Sequence, residues 1–258
     1  MRFEWFGSSD ALTVAIVPTA NPSSHHTASF IQLMNRLGSS VLCVVDRLPM
    51  FKFARSLNSG LDEIAALERL ECVVLSNDDI TEISGYSEMC EFVKSHAKSY
   101  AAPFVNQHTP VFTLVRDPVD MLRRQIRQGS ASRSLVAFAK TSLRGYPHSA
   151  RGKRVRVFPL STRPSRHGWI NVQPFAVFPS DIAREWRFDE RFSNGVEDFD
   201  LAIRLNDAGV KGVTSSKWQV THLDSKSFRT FWNDEQRLRN RIENWRIFEE
   251  IHSGRFPR

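Results

Sequence analysis

Three groups of polar residues in this 258-residue chain have the types and positions to do chemistry. The first lies in "FDERFSNGVEDFDLAIRLNDAG", Phe188 to Gly209, where five acids fall within the first thirteen positions. Glu197 and Asp198 open an amphipathic helix there, so a general base could be held on a rigid element. On residue type alone these acids also fit a capping device, since acids in a first helical turn complement the helix dipole. The second group ends the apolar run "VVLSNDDI" with Asn77, Asp78 and Asp79. Carboxylates at a strand end can bind a hard divalent cation, Mg²⁺ or Mn²⁺, through oxygen. A plain polar turn would use the same residues. The third is "WQVTHLD", which sets His222 at the end of a short strand. That histidine becomes a metal ligand only if it meets Asp79 across the fold.

These groups need a scaffold, and the first hundred residues describe one. "LTVAIVPT", "VLCVVD" and "ECVVLSNDD" are apolar, β-branched runs that read as buried strands. Helices fall between and after them. Ser23 or Ser24 caps the first, with Phe30, Ile31, Met34 and Leu37 on one face and Gly38 as its stop. "LDEIAALERL" carries Leu61, Ile64, Ala65 and Leu70 near a helical period, and "SEMCEFVKSHAKSY" is a third helix. Alternating strands and helices predict a parallel sheet with helices on its faces. Ligands of such sheets bind beyond the carboxyl ends of the strands. Thr19, Asp46 and Asp78/Asp79 all lie at those ends.

Further along, "VFTLV" reads as a strand and "VDMLRRQIRQ" as a short helix. "GYPHSARGKRVRVFPLSTRPSRHG" reads as a long loop and "WINVQPFAVFP" as strand. "DIAREW" and "EDFDLAIRLNDAG" are helical, the second stopped by Gly209, and "WQVTHL" is a short strand. A last helix is expected over about 227–252, with Phe231, Leu238, Ile242, Trp245 and Phe248 on one stripe. There is no internal repeat and no glycine-rich phosphate loop, so one domain is expected.

The charge is segregated. The net charge is +7, yet residues 121–180 hold no Asp or Glu and twelve Arg or Lys, which leaves the remainder at about −5. Such a span predicts an anionic partner or a solvated basic face. No apolar run approaches the length that spans a bilayer, and the start has no long apolar segment of a signal peptide. Cys43, Cys72 and Cys90 lack metal-ligand spacing and read as buried free thiols, which suits a reducing compartment.

Taken in order, these blocks resemble the nucleotide-sugar-dependent glycosyltransferases of the GT-A fold, in particular the inverting family 2 group. "VAIVPTANP" is similar to that family's opening strand. "FARSLNSGLDEIAALERLECVVLSNDD" is similar to its ARN-x-G segment and the DxD strand beyond it, here as Asn77-Asp78-Asp79. "FDERFSNGVEDFDLAIRLNDAGVKG" is the most specific match, to the block FDE-x-F…EDxDLxxRxxxAG. "VTHLDSKS" is similar to the metal-binding His with its polar run, and "RNRIENWRIFEE" to the closing helix. The resemblance covers most of 12–97 and 169–250.

The resemblance implies an α/β chain of GT-A type, with a Rossmann-like, mostly parallel central sheet flanked by helices. It implies a single domain over 1–258: a nucleotide-sugar-binding half over about 12–112, a basic excursion over 113–168, and an acceptor and catalytic half with the closing helix over 169–258. Asp198 would be the catalytic base, with Glu197 next in line. Asp79 and His222 would hold Mn²⁺ or Mg²⁺. Pro18, Thr19, Asp46, Arg55, Asn58, Asn77 and Asp78 would bind the nucleotide sugar. The reaction would be metal-dependent inverting transfer of a sugar from a nucleotide-diphosphate donor to a hydroxyl acceptor. The basic cluster Arg151, Lys153, Arg154 and Arg156 adds the expectation of an anionic acceptor: a nucleic acid, a phospho-polymer or a lipid phosphate. The expected location is the cytoplasm, free or peripheral to a membrane. Two departures stand out: Arg47, Leu48 and Pro49 replace the usual acid and Gly-Ser turn after Asp46, and Ala20 replaces a Tyr. The alternatives are a catalytically silent GT-A-like domain that binds nucleic acid, and a nucleotidyltransferase. The latter's Gly-rich, Lys/Arg-bearing loop is absent from "TANPSSHHTAS".

Overall fold

The computed structural model describes residues 1–8, 10–46, 51–108, 110–115, 156–159, 169–223 and 234–252. The expected helix "VDMLRRQIRQ", most of the basic span with Arg151, Lys153 and Arg154, the residues Arg47 to Pro49, and Phe231 lie outside them.

The strands in chain order are β1 (Arg2–Phe6), β2 (Thr13–Thr19), β3 (Ser40–Val45), β4 (Cys72–Ser76), β5 (Ile80–Ser84), β6 (Ser99–Ala101) and β7 (Phe104–Val105). They continue as β8 (Val111–Val115), β9 (Arg156–Pro159), β10 (Trp169–Ile170), β11 (Phe175–Pro179), β12 (Lys211–Val213) and β13 (Gln219–His222). The helices are α1 (His25–Arg36), α2 (Phe53–Ile64), α3 (Tyr86–Ser95), α4 (Ser180–Glu185), α5 (Glu197–Asp207) and α6 (Asp234–His252).

The central sheet has seven strands in the order β1-β3-β2-β4-β11-β6-β12. β3, β2 and β4 are parallel neighbours, β12 is parallel to β6, and β1 and β11 run against their neighbours. This is the mostly parallel, helix-flanked sheet that the strand–helix alternation predicts. Two three-stranded sheets, β10-β8-β9 and β5-β13-β7, are built beside it.

Side chains alternate across the strands, so the sheet makes two cores. Val14, Ile16, Leu42, Val44, Val73 and Leu75 pack against α2, α4, α5 and α6. Ala15, Val17, Val41, Cys43, Cys72 and Val74 pack against α1 and α3. The three cysteines are buried free thiols, as expected. Ser24 caps α1 by accepting from Thr27 N at 3.2 Å, a contact that contributes about 1 kcal/mol.

Several elements differ from the sequence reading. α2 begins at Phe53 and stops at Ile64, so most of the run expected to be helical is not. Its buried face is Ala54, Leu57, Leu61 and Ile64, and the chain then turns back to feed β4. Arg184 Nη2 donates to the freed Leu67 carbonyl at 2.6 Å. Gly60 allows the close approach of α2 to the sheet, because a Cβ there would stand 2.4 Å from Ile16 Cγ2. "WINVQPFAVFP" is two strands in two different sheets, β10 and β11, joined by 171–174. The end of the third predicted helix is a strand, β6, which the short central-sheet ladder to β12 selects. In α6, Ile242 is 41% exposed, and the inner positions are Asn244, Ile247, Phe248 and His252.

Candidate functional site

Pro18 explains how the rim opens. β2 pairs with β4 only as far as Ile16↔Leu75, while its pairing with β3 continues through Pro18↔Val44 to Thr19↔Val45. Proline has no N–H to donate, so a ladder ends readily beside it. β2 and β4 part there, and the polar ends of three strands meet in the crevice. Thr19 Oγ1 donates to Asp78 Oδ2 at 2.8 Å, Thr27 Oγ1 donates to the same oxygen at 2.9 Å, and Asp46 N donates to Thr19 O at 3.2 Å. Burial pushes the Asp78 carboxyl above its usual range, and the two threonine hydroxyls pull it part of the way back. Asp46 is buried and forms an ion pair with Arg55 Nη2 at 2.8 Å. Thr19, Asp46, Arg55 and Asp78 thus meet as one network.

Asn58 stands apart from that network. Its Nδ2 donates to Phe188 O and to Glu190 Oε1, both at 2.9 Å, and its Oδ1 accepts from Phe188 N at 2.8 Å. It ties α2 to the start of the acidic block.

Asp79 and His222 do meet. Asp79 lies in the turn between β4 and β5, and His222 ends β13, which pairs with β5 through a bulge at Thr221/His222. His222 Nε2 is 2.8 Å from Asp79 Oδ1, and Asn77 Nδ2 is 3.2 Å from the same ring nitrogen. Asp79 Oδ1 is buried and makes no hydrogen bond among the described residues. With a proton on Nε2 this contact is an ion pair, whereas in the tautomer where Nε2 accepts from the Asn77 amide, the ring lone pair and the carboxylate oxygen face each other as two acceptors. A cation relieves that opposition, and a carboxylate with an imidazole suits Mn²⁺. The pair therefore fits part of a divalent site. No group of three or more possible protein ligands occurs among the described residues. A Mg²⁺-like site is commonly completed by substrate phosphates and water.

The acidic block is held differently. Val196, the residue before α5, has φ 66°, ψ −3°. A β-branched residue in the left-handed region is a backbone outlier that costs about 1–3 kcal/mol. Its side chain is buried with Phe188 and Phe192, which offsets the strain. Glu197 and Asp198 follow at once. Glu197 is buried, and its Oε2 accepts from Gly195 N. Burial, then the charge of Asp198, raises its pKa from 4.5 to about 8. Asp198 is only partly buried and accepts from Asn171 Nδ2 at 2.8 Å. Burial raises its pKa as well, and the Asn171 bond opposes the rise. Two neighbouring carboxyls in unequal surroundings divide their protonation, with Glu197 keeping the proton at neutral pH.

One short stretch connects the two halves of the site. Residues 171–174 run from β10 to β11, with Asn171 bonded to Asp198 and the Pro174 carbonyl accepting from Asn77 N at 2.9 Å.

The sequence reading missed the residues that hold these loops. Asn106 pairs with both the N–H and the carbonyl of His222, each at 2.9 Å. Asn244 does the same for Ser193, at 2.8 and 3.1 Å. Asn194 accepts from Phe53 N at 2.6 Å and donates to Phe51 O at 2.9 Å. In sequence these are ordinary turn or helix asparagines, and only the distant partner gives each its role.

No family model and no curated protein sequence matches this chain. Among solved structures it is similar to the crystal structure of A197 from STIV, at 11% identity and TM-score 0.44, covering 82% of this chain and 85% of that one. It is also similar to the crystal structure of GalNAc-T7 with UDP, GalNAc and Mn²⁺, at 11% identity and TM-score 0.44. That alignment covers 82% of this chain, which spans 44% of the GalNAc-T7 chain. Both are distant likenesses.

Proposed function

We propose that this chain is a metal-dependent inverting glycosyltransferase of the GT-A type, resembling family 2, with one domain over 1–258. The observation that carries the reading is the pairing of Asp79 with His222 at the strand-end rim, linked through 171–174 to Asp198. Thr19, Asp46, Arg55, Asn77 and Asp78 line the nucleotide side, and Asn58 and Pro18 shape it. Asp79 and His222 hold the divalent cation. When bound, Mn²⁺ or Mg²⁺ stabilises the charge that develops on a departing diphosphate. Asp198 accepts the proton of the attacking hydroxyl, because a neutral hydroxyl is a poor nucleophile. Single displacement needs the base on the face of the sugar opposite the leaving group. Asp79 and Asp198 sit on separate elements, which is compatible with such an arrangement. Glu197, neutral at assay pH, is the weaker choice of base.

The acceptor, on this reading, is anionic. Twelve positive charges over 121–180 exceed what one diphosphate can neutralise.

Incubation with a panel of sugar nucleotides and Mn²⁺, with released nucleoside diphosphate as the readout, tests the reading. Metal-dependent release from one donor is the expected result. Absence of release and of nucleotide binding across the panel would remove it.

A further inference from the structure

Between β10 and β11 the chain carries two amide side chains, Asn171 and Gln173. Asn171 uses its Nδ2 on Asp198, but its Oδ1 is buried with no hydrogen-bond partner among the described residues. Both terminal atoms of Gln173, Nε2 and Oε1, are buried and equally without partners there. Such groups are rare in folded proteins, since each gives up water without gaining a bond in return. Three orphaned atoms on two neighbouring amides ask for a polar ligand.

Their place narrows what that ligand is. β11 pairs with β4 up to Phe175↔Ser76, and one step further Asn77 N donates to Pro174 O at 2.9 Å. Gln173 precedes Pro174, so this end of the stretch borders the Asn77–Asp79 turn, whose Asp79 meets His222. Asn171, at the other end of the stretch, holds Asp198. The two amides therefore span from the residues assigned to the diphosphate to the residue assigned as base. In a single displacement the reacting sugar lies between those two groups.

We infer that Asn171 and Gln173 form the sugar subsite of the donor and select a neutral, hydroxyl-bearing ring; this rests on the glycosyltransferase reading. Each amide donates and accepts, as each sugar hydroxyl does, so the two sets can satisfy one another. Residues 169–179 contain no Lys or Arg, and so this stretch offers no counter-charge to a sugar carboxylate. Sites that bond a substrate hydroxyl discriminate strongly against rings that lack it.

The test is calorimetry with Mn²⁺ present, on the wild type and Gln173→Met. The probes are the uridine, guanosine, thymidine and adenosine diphosphates, their neutral hexose conjugates, and UDP-glucuronic acid. Gln173→Met should bind the preferred nucleoside diphosphate as the wild type does and lose about tenfold in affinity for its hexose conjugate. The ligand-free variant should melt at the wild-type temperature or above, because an unpartnered buried amide has been replaced by an apolar side chain of similar size. Wild-type protein that binds no nucleotide would remove the glycosyltransferase reading and this inference with it. Nucleotide binding with equal hexose-conjugate affinity in both proteins would overturn the inference alone. So would parallel loss of the bare diphosphate, tight binding of UDP-glucuronic acid by the wild type, or a fall of several degrees in the variant's melting temperature.

Discussion

Replacing Glu197 with Gln should make the protein more stable in mild alkali and leave it unchanged in acid. Glu197 is buried at the start of α5 beside Asp198, and its carboxyl ionises near 8 in the folded chain instead of 4.5. The folded state therefore holds that proton more tightly than the unfolded one. The stability this contributes is fully present below about pH 4.5 and is lost as the pH rises through about 8. At about 1.4 kcal/mol per tenfold in proton affinity, the ceiling is roughly 5 kcal/mol, and sharing of the titration with Asp198 lowers it. Gln is the isostere of the protonated form and can still accept from Gly195 N. The variant escapes the alkaline loss, and its melting temperature should exceed wild type by on the order of 5–10 °C at the alkaline end. Thermal unfolding of both proteins across the range from about pH 4.5 to above 8 measures this directly. Parallel curves would show that Glu197 ionises normally, and the division of protonation between the two acids would then be wrong.

Other perturbations separate the remaining roles. Asp198→Asn should keep the fold and donor binding while transfer falls by roughly two to four orders of magnitude, the usual worth of a general base. The wild-type rate should also decline with acid at a pH above the ordinary 3.8 of an aspartate, since burial raises the Asp198 pKa; near-normal turnover in the variant would move the role elsewhere. Asp79→Ala should abolish Mn²⁺-dependent donor binding in calorimetry and turnover with it, and full activity in excess EDTA would remove both Asp79 and His222 from the metal. Changing Arg151, Lys153, Arg154 and Arg156 together to Ser should raise the acceptor KM and flatten its salt dependence, with hydrolysis of the donor by water unaltered. Equal loss of donor hydrolysis would assign the cluster to the diphosphate instead.

What could be read in the sequence was what local pattern determines. Apolar β-branched runs fixed β2, β3 and β4, and their polar last residues placed Thr19, Asp46, Asp78 and Asp79 at one rim before any coordinate. Ser24 and the Phe30, Ile31 and Met34 face announced α1 in the same way. The misses share one cause, which is dependence on distant partners. β6 and β12 have three residues each, too short for periodicity, and exist because they pair with one another and with β11. Residues 169–179 read as one strand, since nothing local says that Trp169–Ile170 joins β8 while Phe175–Pro179 joins β4. The amides of Asn58, Asn106, Asn194 and Asn244 have long-range partners, with sequence separations from 51 to 143. No spacing rule reaches that far.

The acidic block shows how a basic chain can gather carboxylates in one place for structural ends. Asp189 is gripped by Arg191, with contacts down to 2.6 Å, which holds its carboxyl below the usual range. Glu190 accepts from Asn58. Asp200 is fully buried, 2.8 Å from Arg204 Nε and 2.9 Å from His252 Nε2, so it ties α5 to α6. A buried carboxylate stripped of such partners would be strongly destabilising, so Asp200 is committed to the fold. Glu197 retains its proton. Asp198 keeps partial access to solvent and accepts from the neutral Asn171 amide, which orients it without neutralising it. A base must be ionised, reachable and free of a permanent counter-charge. Glu190, exposed and bonded to the Asn58 amide, also lacks a counter-charge, so what favours Asp198 as the proposed base is its place: it opens α5 and is tied through Asn171 to the stretch that meets the strand-end rim.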